Sequence, residues 1–208
     1  MRILGFLGSP HVNGKSAKLL KKALEGAASA GAEVKEFDLI KMNIKYCSGC
    51  GVCFTTKPEL KIGKCSLKDD APEIFKEYVA ADGYIYASPV YDVFVTALMK
   101  TFLERKIMLT YRPKEESGKI PESRCPALFQ KKASLIVTGN CIDKYREVMG
   151  DPCFEAYQGH FMIEQIDTVD QMYCGGLEIL TEKDFNKKLE EAFQIGIRIV
   201  REIKKSRR

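Results

Sequence analysis

Short apolar stretches alternate along the chain with longer segments of helical periodicity. Most of the apolar stretches are continuous, which is typical of parallel strands covered on both faces. Apolar positions recur at helical spacing between them. The predicted strands are residues 2–7, 33–39, 83–88, 133–138 and 172–180. The predicted helices begin near residues 16, 69, 93 and 183. The pattern therefore predicts an α/β fold with a parallel sheet between two layers of helices.

Three segments do not follow this alternation. Residues 45–65 are irregular and rich in cysteine. Residues 110–126 contain three prolines and many charges, which predicts an exposed excursion. Within 141–170, the stretch Cys141–Met149 is compatible with a helix, and residues 160–169 with a strand or a second helix.

Composition narrows the possible functions. The net charge of +5 is mostly due to residues 204–208, which carry four positive charges, so it reflects a basic tail and not a basic face. No basic stripe with interleaved aromatic residues is evident, and we therefore expect no nucleic-acid partner. No apolar stretch reaches the roughly 18–20 residues that span a bilayer. The first apolar stretch stops at Gly8, too early for a signal peptide, which predicts a cytoplasmic protein without a membrane partner.

The loop after the first predicted strand, residues 8–16, is the first candidate site. It is polar, bears glycines and opens a helix, and such loops bind anions through free backbone N–H groups and the helix dipole. Ser9, Asn13 and Ser16 add side-chain donors. His11 lies in the same loop, where it is either an anion contact or a surface residue. The alternative for the whole loop is a plain strand-to-helix turn with Ser16 as N-cap.

The spacing of this loop excludes two nucleotide motifs. A triphosphate-binding P-loop needs a gap one residue shorter than the five residues between Gly8 and Gly14. The Gly-x-Gly-x-x-Gly fingerprint of dinucleotide-binding loops is absent. A P-loop hydrolase also needs a Mg²⁺-binding carboxylate, and Ser88-Pro89 stands where the third strand ends. If the loop binds an anion, a monophosphate fits it best.

Three segments together resemble a known family. They are Gly8-Ser9-Pro10 with Asn13-Gly14-Lys15-Ser16, then Ser88-Pro89-Val90-Tyr91, then residues 98–105, Leu-Met-Lys-Thr-Phe-Leu-Glu-Arg. In order and spacing they are similar to flavodoxin-like, NAD(P)H-dependent FMN reductases, in which Asp stands at the position of Glu104. The resemblance covers about residues 1–140. It implies a flavodoxin-like, doubly wound five-stranded parallel sheet of order 2-1-3-4-5. It further implies that residues 1–208 form a single FMN-binding domain, with a cysteine-rich insertion at 45–65 and the excursion at 110–126.

The resemblance also implies a cofactor and its site. FMN would place its phosphate on the first loop and its ring between the loop after the third strand and Gly139. The implied contacts are Ser9, His11, Asn13, Gly14, Lys15, Ser16, Pro89, Val90, Tyr91, Asp92, Val93 and Gly139. For Tyr91 the alternative is a half-buried core aromatic, and for Gly139 a plain turn residue.

The implied function is that of an FMN-dependent oxidoreductase or electron-transfer flavoprotein. Its donor would be NAD(P)H or a ferredoxin-like protein, and the protein would be a homodimer or homotetramer. No side-chain acid or base is required, so no catalytic residue is predicted. The alternative is a flavin-free metal-binding or interaction protein on the same scaffold.

The eight cysteines divide into two groups. Cys47, Cys50 and Cys53 follow at a Cys-x-x-Cys pitch, and Cys65 comes later. Three thiolates at that pitch suit a [4Fe–4S] cluster closed by a fourth, although four cysteines also suit zinc, and thiols without metal remain an alternative. Within the family, they point to the iron–sulfur flavoprotein branch, in which the last gap is shorter. The other four are predicted to pack: Cys125, Cys141, Cys153 and Cys174. His160 is given no role.

Overall fold

A central sheet of five parallel strands organises the chain. The computed structural model describes residues 1–128 and 130–207. The strands are β1 (Arg2–Leu7), β2 (Glu33–Asp38), β3 (Gly83–Tyr91), β4 (Phe94–Val95), β5 (Thr110–Tyr111), β6 (Glu122–Ser123), β7 (Lys132–Thr138) and β8 (Asp167–Cys174). The main sheet has the order β2-β1-β3-β7-β8, with β4 paired to β3. Counting only the parallel strands, this is the predicted order 2-1-3-4-5, and the flavodoxin-like topology is confirmed.

Helices cover both faces of this sheet. They are α1 (Lys15–Ser29), α2 (Val52–Thr55), α3 (Ala71–Ala80), α4 (Ala97–Arg105), α5 (Arg146–Met149), α6 (Asp151–Glu164) and α7 (Glu182–Ser206). Helices α1 and α7 lie on one face, where they pack against Ile3 and Leu7 of β1. Helices α3, α4 and α6 lie on the other, against Leu4 and Phe6 of the same strand. Both faces of β1 are therefore buried, which explains its continuous apolar sequence.

Two glycines allow α1 and α7 to approach closely. A Cβ atom at Gly26 would lie 2.0 Å from the carbonyl oxygen of Phe193, and one at Gly196 would lie 1.9 Å from that of Ala23. Any larger residue at either position would force the helices apart. This contact seats α1 on the sheet, and with it the loop that precedes α1.

Several predicted boundaries were wrong. The fifth strand is Asp167–Cys174 and not residues 172–180, because Gly175 and Gly176 turn the chain away from the sheet. The helix expected from Val93 begins at Ala97, after the short strand β4. The side chain of Thr96 caps it by accepting a hydrogen bond from the backbone N–H of Met99, at 3.2 Å.

Residues 141–170, which the sequence left open, contain a 3-10 turn, α5 and α6 before β8 begins. Residues 113–121 are mostly exposed, whereas Arg124 and Cys125 are buried and β5 pairs with β6. The proline-rich excursion is therefore a small hairpin that returns to the protein. That residues 1–208 form a single FMN-binding domain stays a prediction. Within the described ranges, none of the helices has the length and apolar character needed to cross a bilayer.

Candidate functional site

A cavity of about 390 Å³ lies where β1, β3 and β7 end. Carboxyl ends of strands beside a reversal of strand order are the usual ligand position in such sheets. Eleven of the twelve residues predicted to bind the cofactor line it, the exception being Asn13, which is exposed. Whether they bind FMN stays a prediction. The eleven are Ser9, His11, Gly14, Lys15, Ser16, Pro89, Val90, Tyr91, Asp92, Val93 and Gly139. Residues at the cavity that the sequence did not indicate are Thr138, Asn140, Cys141, Met149 and Leu177.

One wall of the cavity is the amino-terminal end of α1. Gly14 is the N-cap residue, with no side-chain hydrogen bond, and the first turn contains no acidic residue. The hydroxyl of Ser9 is buried and accepts the backbone N–H of His11 at 3.1 Å, which folds the loop back on itself. The first N–H groups of the helix are thus left without a side-chain cap, beside the cavity. This arrangement favours an anion such as a phosphate.

Two side chains at the start of α1 tie it to the far side of the sheet. The hydroxyls of Ser16 and Thr138 lie 2.7 Å apart in a buried hydrogen bond. The ammonium of Lys15 donates to the backbone carbonyl of Leu177, beyond the end of β8. Lys15 and Ser16, which were predicted to bind the cofactor, therefore also fix the shape of the cavity. The sequence did not indicate this second role.

The opposite wall is a two-residue hairpin between β3 and β4. Val90 pairs with Val95 and Tyr91 pairs with Phe94, so only Asp92 and Val93 form the turn. Both have positive φ, 50° and 59°. Positive φ at both central residues is the geometry of a type I′ turn, which Asn-Gly adopts readily and Val does not.

This hairpin presents apolar side chains to the cavity rather than to the core. Tyr91 is 47% exposed and Val93 is 41% exposed, although both are apolar. The alternative that Tyr91 is half-buried in the core is not what the structure shows. Strain and exposed apolar side chains at the same turn indicate a surface shaped to contact something else.

Close packing leaves no room for a side chain at Gly139. A Cβ there would lie 2.7 Å from the hydroxyl of Tyr173, which is held in place because it donates to the carbonyl of Cys141 at 2.8 Å. Burial raises the pKa of Tyr173 to about 12, so the phenol stays neutral and keeps this bond. Tyr173 thus fixes both Gly139 and the segment that follows it at the cavity.

A second cavity, of about 530 Å³, contains all four clustered cysteines. Cys47 and Cys50 are exposed, Cys65 is partly buried and Cys53 is buried. The structure therefore brings together the residues that the Cys-x-x-Cys pitch singled out, including Cys65 after its long gap. Further residues around this cavity are Phe54, Leu67, Glu104, Arg105, Ile107 and His160.

The cysteines differ in their acidity. Burial first, and then the charges of the neighbouring Cys65, Cys47 and Cys50, raise the pKa of the Cys53 thiol to about 11. Hydrogen bonds, first of all with Ser66, lower the pKa of Cys50. Four thiolates here would repel one another unless a cation lay between them. As they stand, the described residues contain no group of three or more His, Cys, Asp or Glu close enough to hold a metal ion.

Arg105 connects this cavity to the body of the protein. Its guanidinium donates to the sulfur of Cys65 at 3.3 Å and to the carbonyl of Lys45 at 2.9 Å. It also pairs with Asp69, and the two side chains are 1% and 0% exposed. The resemblance over residues 98–105 was the only sequence signal for this residue, and it did not indicate contact with the cysteines.

His160 borders the same cavity as a neutral side chain. Burial, with the positive charges of Lys106 and Lys100, lowers its pKa to about 3. Among the other cysteines, Cys125, Cys153 and Cys174 are buried, as expected for packing residues, whereas Cys141 lies at the first cavity.

Comparison with known proteins identifies relatives of this chain. The family model described as NADPH-dependent FMN reductase matches residues 1–139. An iron–sulfur flavoprotein of Archaeoglobus fulgidus is 31% identical over 199 residues, 96% of this chain and 79% of the relative. Another from Methanocaldococcus jannaschii is 37% identical over 105 residues, 50% of this chain and 51% of the relative.

Solved structures share the fold at low sequence identity. A flavone reductase superposes with a TM-score of 0.68 at 22% identity, over 100% of this chain and 64% of its own. An NAD(P)H:quinone oxidoreductase from Methanothermobacter marburgensis superposes with a TM-score of 0.69 at 16% identity, over 95% of this chain and 98% of its own. At these identities the likeness establishes the fold alone.

Proposed function

The chain belongs to the NADPH-dependent FMN reductase family of oxidoreductases, in its iron–sulfur flavoprotein branch, and on that premise we propose that it carries electrons on FMN. Electrons pass from a reduced nicotinamide or a ferredoxin-type donor to an acceptor, with a [4Fe–4S] cluster at the cysteine cavity. One observation carries the proposal. The cavity at the ends of β1, β3 and β7 has an uncapped helix N-terminus on one wall and a strained apolar hairpin on the other.

The residues at this cavity fit a flavin mononucleotide. The N–H groups at the start of α1, with the hydroxyl of Ser9, suit a phosphate. The side chain of Tyr91 and the backbone of residues 89–93 suit a flat ring with one polar edge. Bound FMN would supply the redox chemistry, while the protein orients the ring and excludes water from it. No side chain at the cavity is required as an acid or a base.

The cysteine cavity fits a cluster better than a single zinc ion. A tetrahedral zinc site draws its four sulfurs to about 2.3 Å from one point. The four thiols instead line a cavity of about 530 Å³, which is large for one ion. A cubane cluster accepts each thiolate at a different iron, which suits donors spread around a cavity. Cys47, Cys50, Cys53 and Cys65 would be the ligands.

A homodimer or homotetramer is the proposed assembly. Exposed apolar side chains occur on the segments that line the first cavity, at Tyr91, Val93, Ile142, Tyr145 and Val148. Apolar surface at one place on a protein is typical of an interaction site. Light scattering after gel filtration should give twice or four times the mass of one chain, and a monomer would contradict this part of the proposal.

The test of the flavin proposal is the affinity of the flavin-free protein for FMN and for riboflavin, which lacks the phosphate. FMN should bind far more tightly than riboflavin. The FMN-loaded protein should then lose its oxidised-flavin absorbance on anaerobic addition of NADPH, or of a reduced ferredoxin if the donor is a protein. A chain that takes up iron but neither flavin would favour the flavin-free metal-binding alternative.

A further inference from the structure

The β5–β6 hairpin provides a buried arginine, Arg124, that holds the cysteine loop. Arg124 is 8% exposed. A guanidinium has five N–H donors, and all five of its hydrogen bonds here go to backbone carbonyls. Its Nε donates to Thr110 at 2.9 Å, Nη1 to Lys57 at 2.7 Å and Leu60 at 3.3 Å, and Nη2 to Cys53 at 2.9 Å and Thr56 at 2.6 Å.

Four of those five carbonyls belong to residues 53–60, directly after the Cys-x-x-Cys repeat. The peptide of Cys53 is also confined from a second side, because a Cβ at Gly63 would lie 1.9 Å from its carbonyl oxygen. Gly63 in turn donates its N–H to Met108 at 2.7 Å. Cys53 and the turn after it are therefore fixed by the protein itself.

Among the described residues, no carboxylate is within ion-pair distance of Arg124, and Glu59 acts on its charge only from farther away. Arg105, the other buried arginine at the loop, is paired with Asp69. Within residues 1–128 and 130–207, Arg124 makes no ion pair. Backbone carbonyls surround its charge, together with the ring of Tyr111, whose centroid lies 4.9 Å from the guanidinium carbon. A buried positive charge beside Cys53 favours a negatively charged group at the cavity, where the dielectric is low.

We propose that Arg124 is a positioning residue for the cysteine cavity: it fixes Cys53 and residues 54–60 before any metal binds, and its unbalanced charge favours an anionic, thiolate-ligated occupant. The first part is independent of the cluster, whereas the second rests on the function proposed above. The hairpin at 110–126 then has a function, which is to position Arg124 against the carbonyls of residues 53–60.

Amide hydrogen exchange in the metal-free protein tests the first part. The N–H groups of Phe54, Thr55 and Leu60 are hydrogen-bonded within the loop and report its opening. Arg124→Met and Arg124→Lys should both raise their exchange at least about tenfold, the effect of losing about one charge-assisted hydrogen bond. Wild-type exchange in Arg124→Met would overturn the proposal.

Arg112→Met is the matched control. Arg112 belongs to the same hairpin and lies over the ring of Phe54, with its guanidinium carbon 5.0 Å from the ring centroid. Among the described residues, however, its side chain donates to the carbonyl of Lys119 and to no carbonyl of residues 53–60. It should leave the loop amides as in the wild type. FMN uptake should be unchanged in all three variants, which verifies that they fold. If Arg124→Met does not fold, the milder substitution Arg124→Lys provides the test.

The reduction potential of the reconstituted cluster tests the charge. Reduction adds a negative charge to the cluster, so removing a nearby cation makes reduction harder. The cluster of Arg124→Met should have a lower reduction potential than that of Arg124→Lys. The lysine keeps the positive charge but lacks the planar guanidinium and its several N–H donors. Equal potentials would remove the charge from the proposal. If the wild type assembles no cluster, the function proposed above fails at that point, and the exchange measurement still decides whether Arg124 positions the loop.

Discussion

The guanidinium of Arg105 donates to the sulfur of Cys65 across 3.3 Å while its other hydrogen bonds engage Asp69 and the carbonyl of Lys45. One buried arginine thus joins the last cysteine, which follows a long gap in sequence, to the start of the cysteine loop. The hydrogen bond also orients the sulfur of Cys65 toward the cavity, where the proposed cluster would bind. Arg105 explains how a distant cysteine reaches the same cavity as the other three.

Arg105→Met should destabilise the protein by about 3 kcal/mol, because it leaves the buried carboxylate of Asp69 without an opposite charge, with only the backbone N–H groups of Lys45 and Ala71 as partners. The double variant Arg105→Met/Asp69→Asn should recover part of that loss, since no unpaired charge remains. Denaturant unfolding of the metal-free protein measures both. A loss below about 1 kcal/mol in the single variant would mean that the ion pair contributes little.

Ser9→Ala should weaken FMN binding by about 10- to 100-fold, the loss of one hydrogen bond to a charged phosphate, and leave riboflavin binding unchanged. Ser29→Ala, at the other end of α1, is the control, because Ser29 donates to Gly26 away from the cavity. Isothermal titration of both ligands gives the affinities. An equal loss for FMN and riboflavin would place Ser9 away from the phosphate.

Val93→Gly should stabilise the flavin-free protein by about 1 kcal/mol. Two effects make up this free energy. Glycine releases the steric strain that valine bears at φ 59°, but it also has a larger backbone entropy in the unfolded chain, which offsets part of the gain. The looser hairpin should bind FMN more weakly. Unfolding and FMN titration are measured on the same variant. A destabilised variant would show that the side chain of Val93 contributes more by packing than it costs by strain.

Glu36 should make stability depend on pH. Burial first, and then the charge of Asp38, raise the pKa of Glu36 to about 7. The folded state therefore holds this proton more tightly than the unfolded state, and its contribution to stability is lost as the pH rises from about 5 through 7.

Glu36→Gln keeps the shape of the protonated group and cannot ionise. It should be more stable than the wild type by about 1 kcal/mol at pH 8, a figure reduced for solvent screening of a half-buried group, and equal to it at pH 5. Thermal unfolding across that range is the measurement. A difference independent of pH would assign the effect to packing.

The sheet and its order could be predicted because they depend on signals that are local in sequence or shared across the family. Continuous apolar stretches identified β1, β3 and β7, and the resemblance gave the order. The four cysteines could be grouped by their pitch. The loop before α1 could be identified as a candidate anion site because a helix start after a buried strand requires little else.

What could not be predicted depends on contacts between distant segments. Nothing in residues 110–126 indicates that Arg124 reaches the carbonyl of Cys53, since such a bond forms only once the hairpin folds back. The boundary of the fifth strand was wrong because apolar character continues past Gly175, where the backbone turns. The positive φ of Val93 was also unpredictable, since a β-branched residue normally avoids it.

The most direct test of the central claim is the FMN and iron content of anaerobically prepared wild type and Cys50→Ala. Cys50 lies at the cysteine cavity and not at the first one. The account predicts one FMN per chain in both proteins, a cluster's four irons in the wild type and their loss in the variant. A wild type that takes up no FMN, or a variant with unchanged iron, would contradict it.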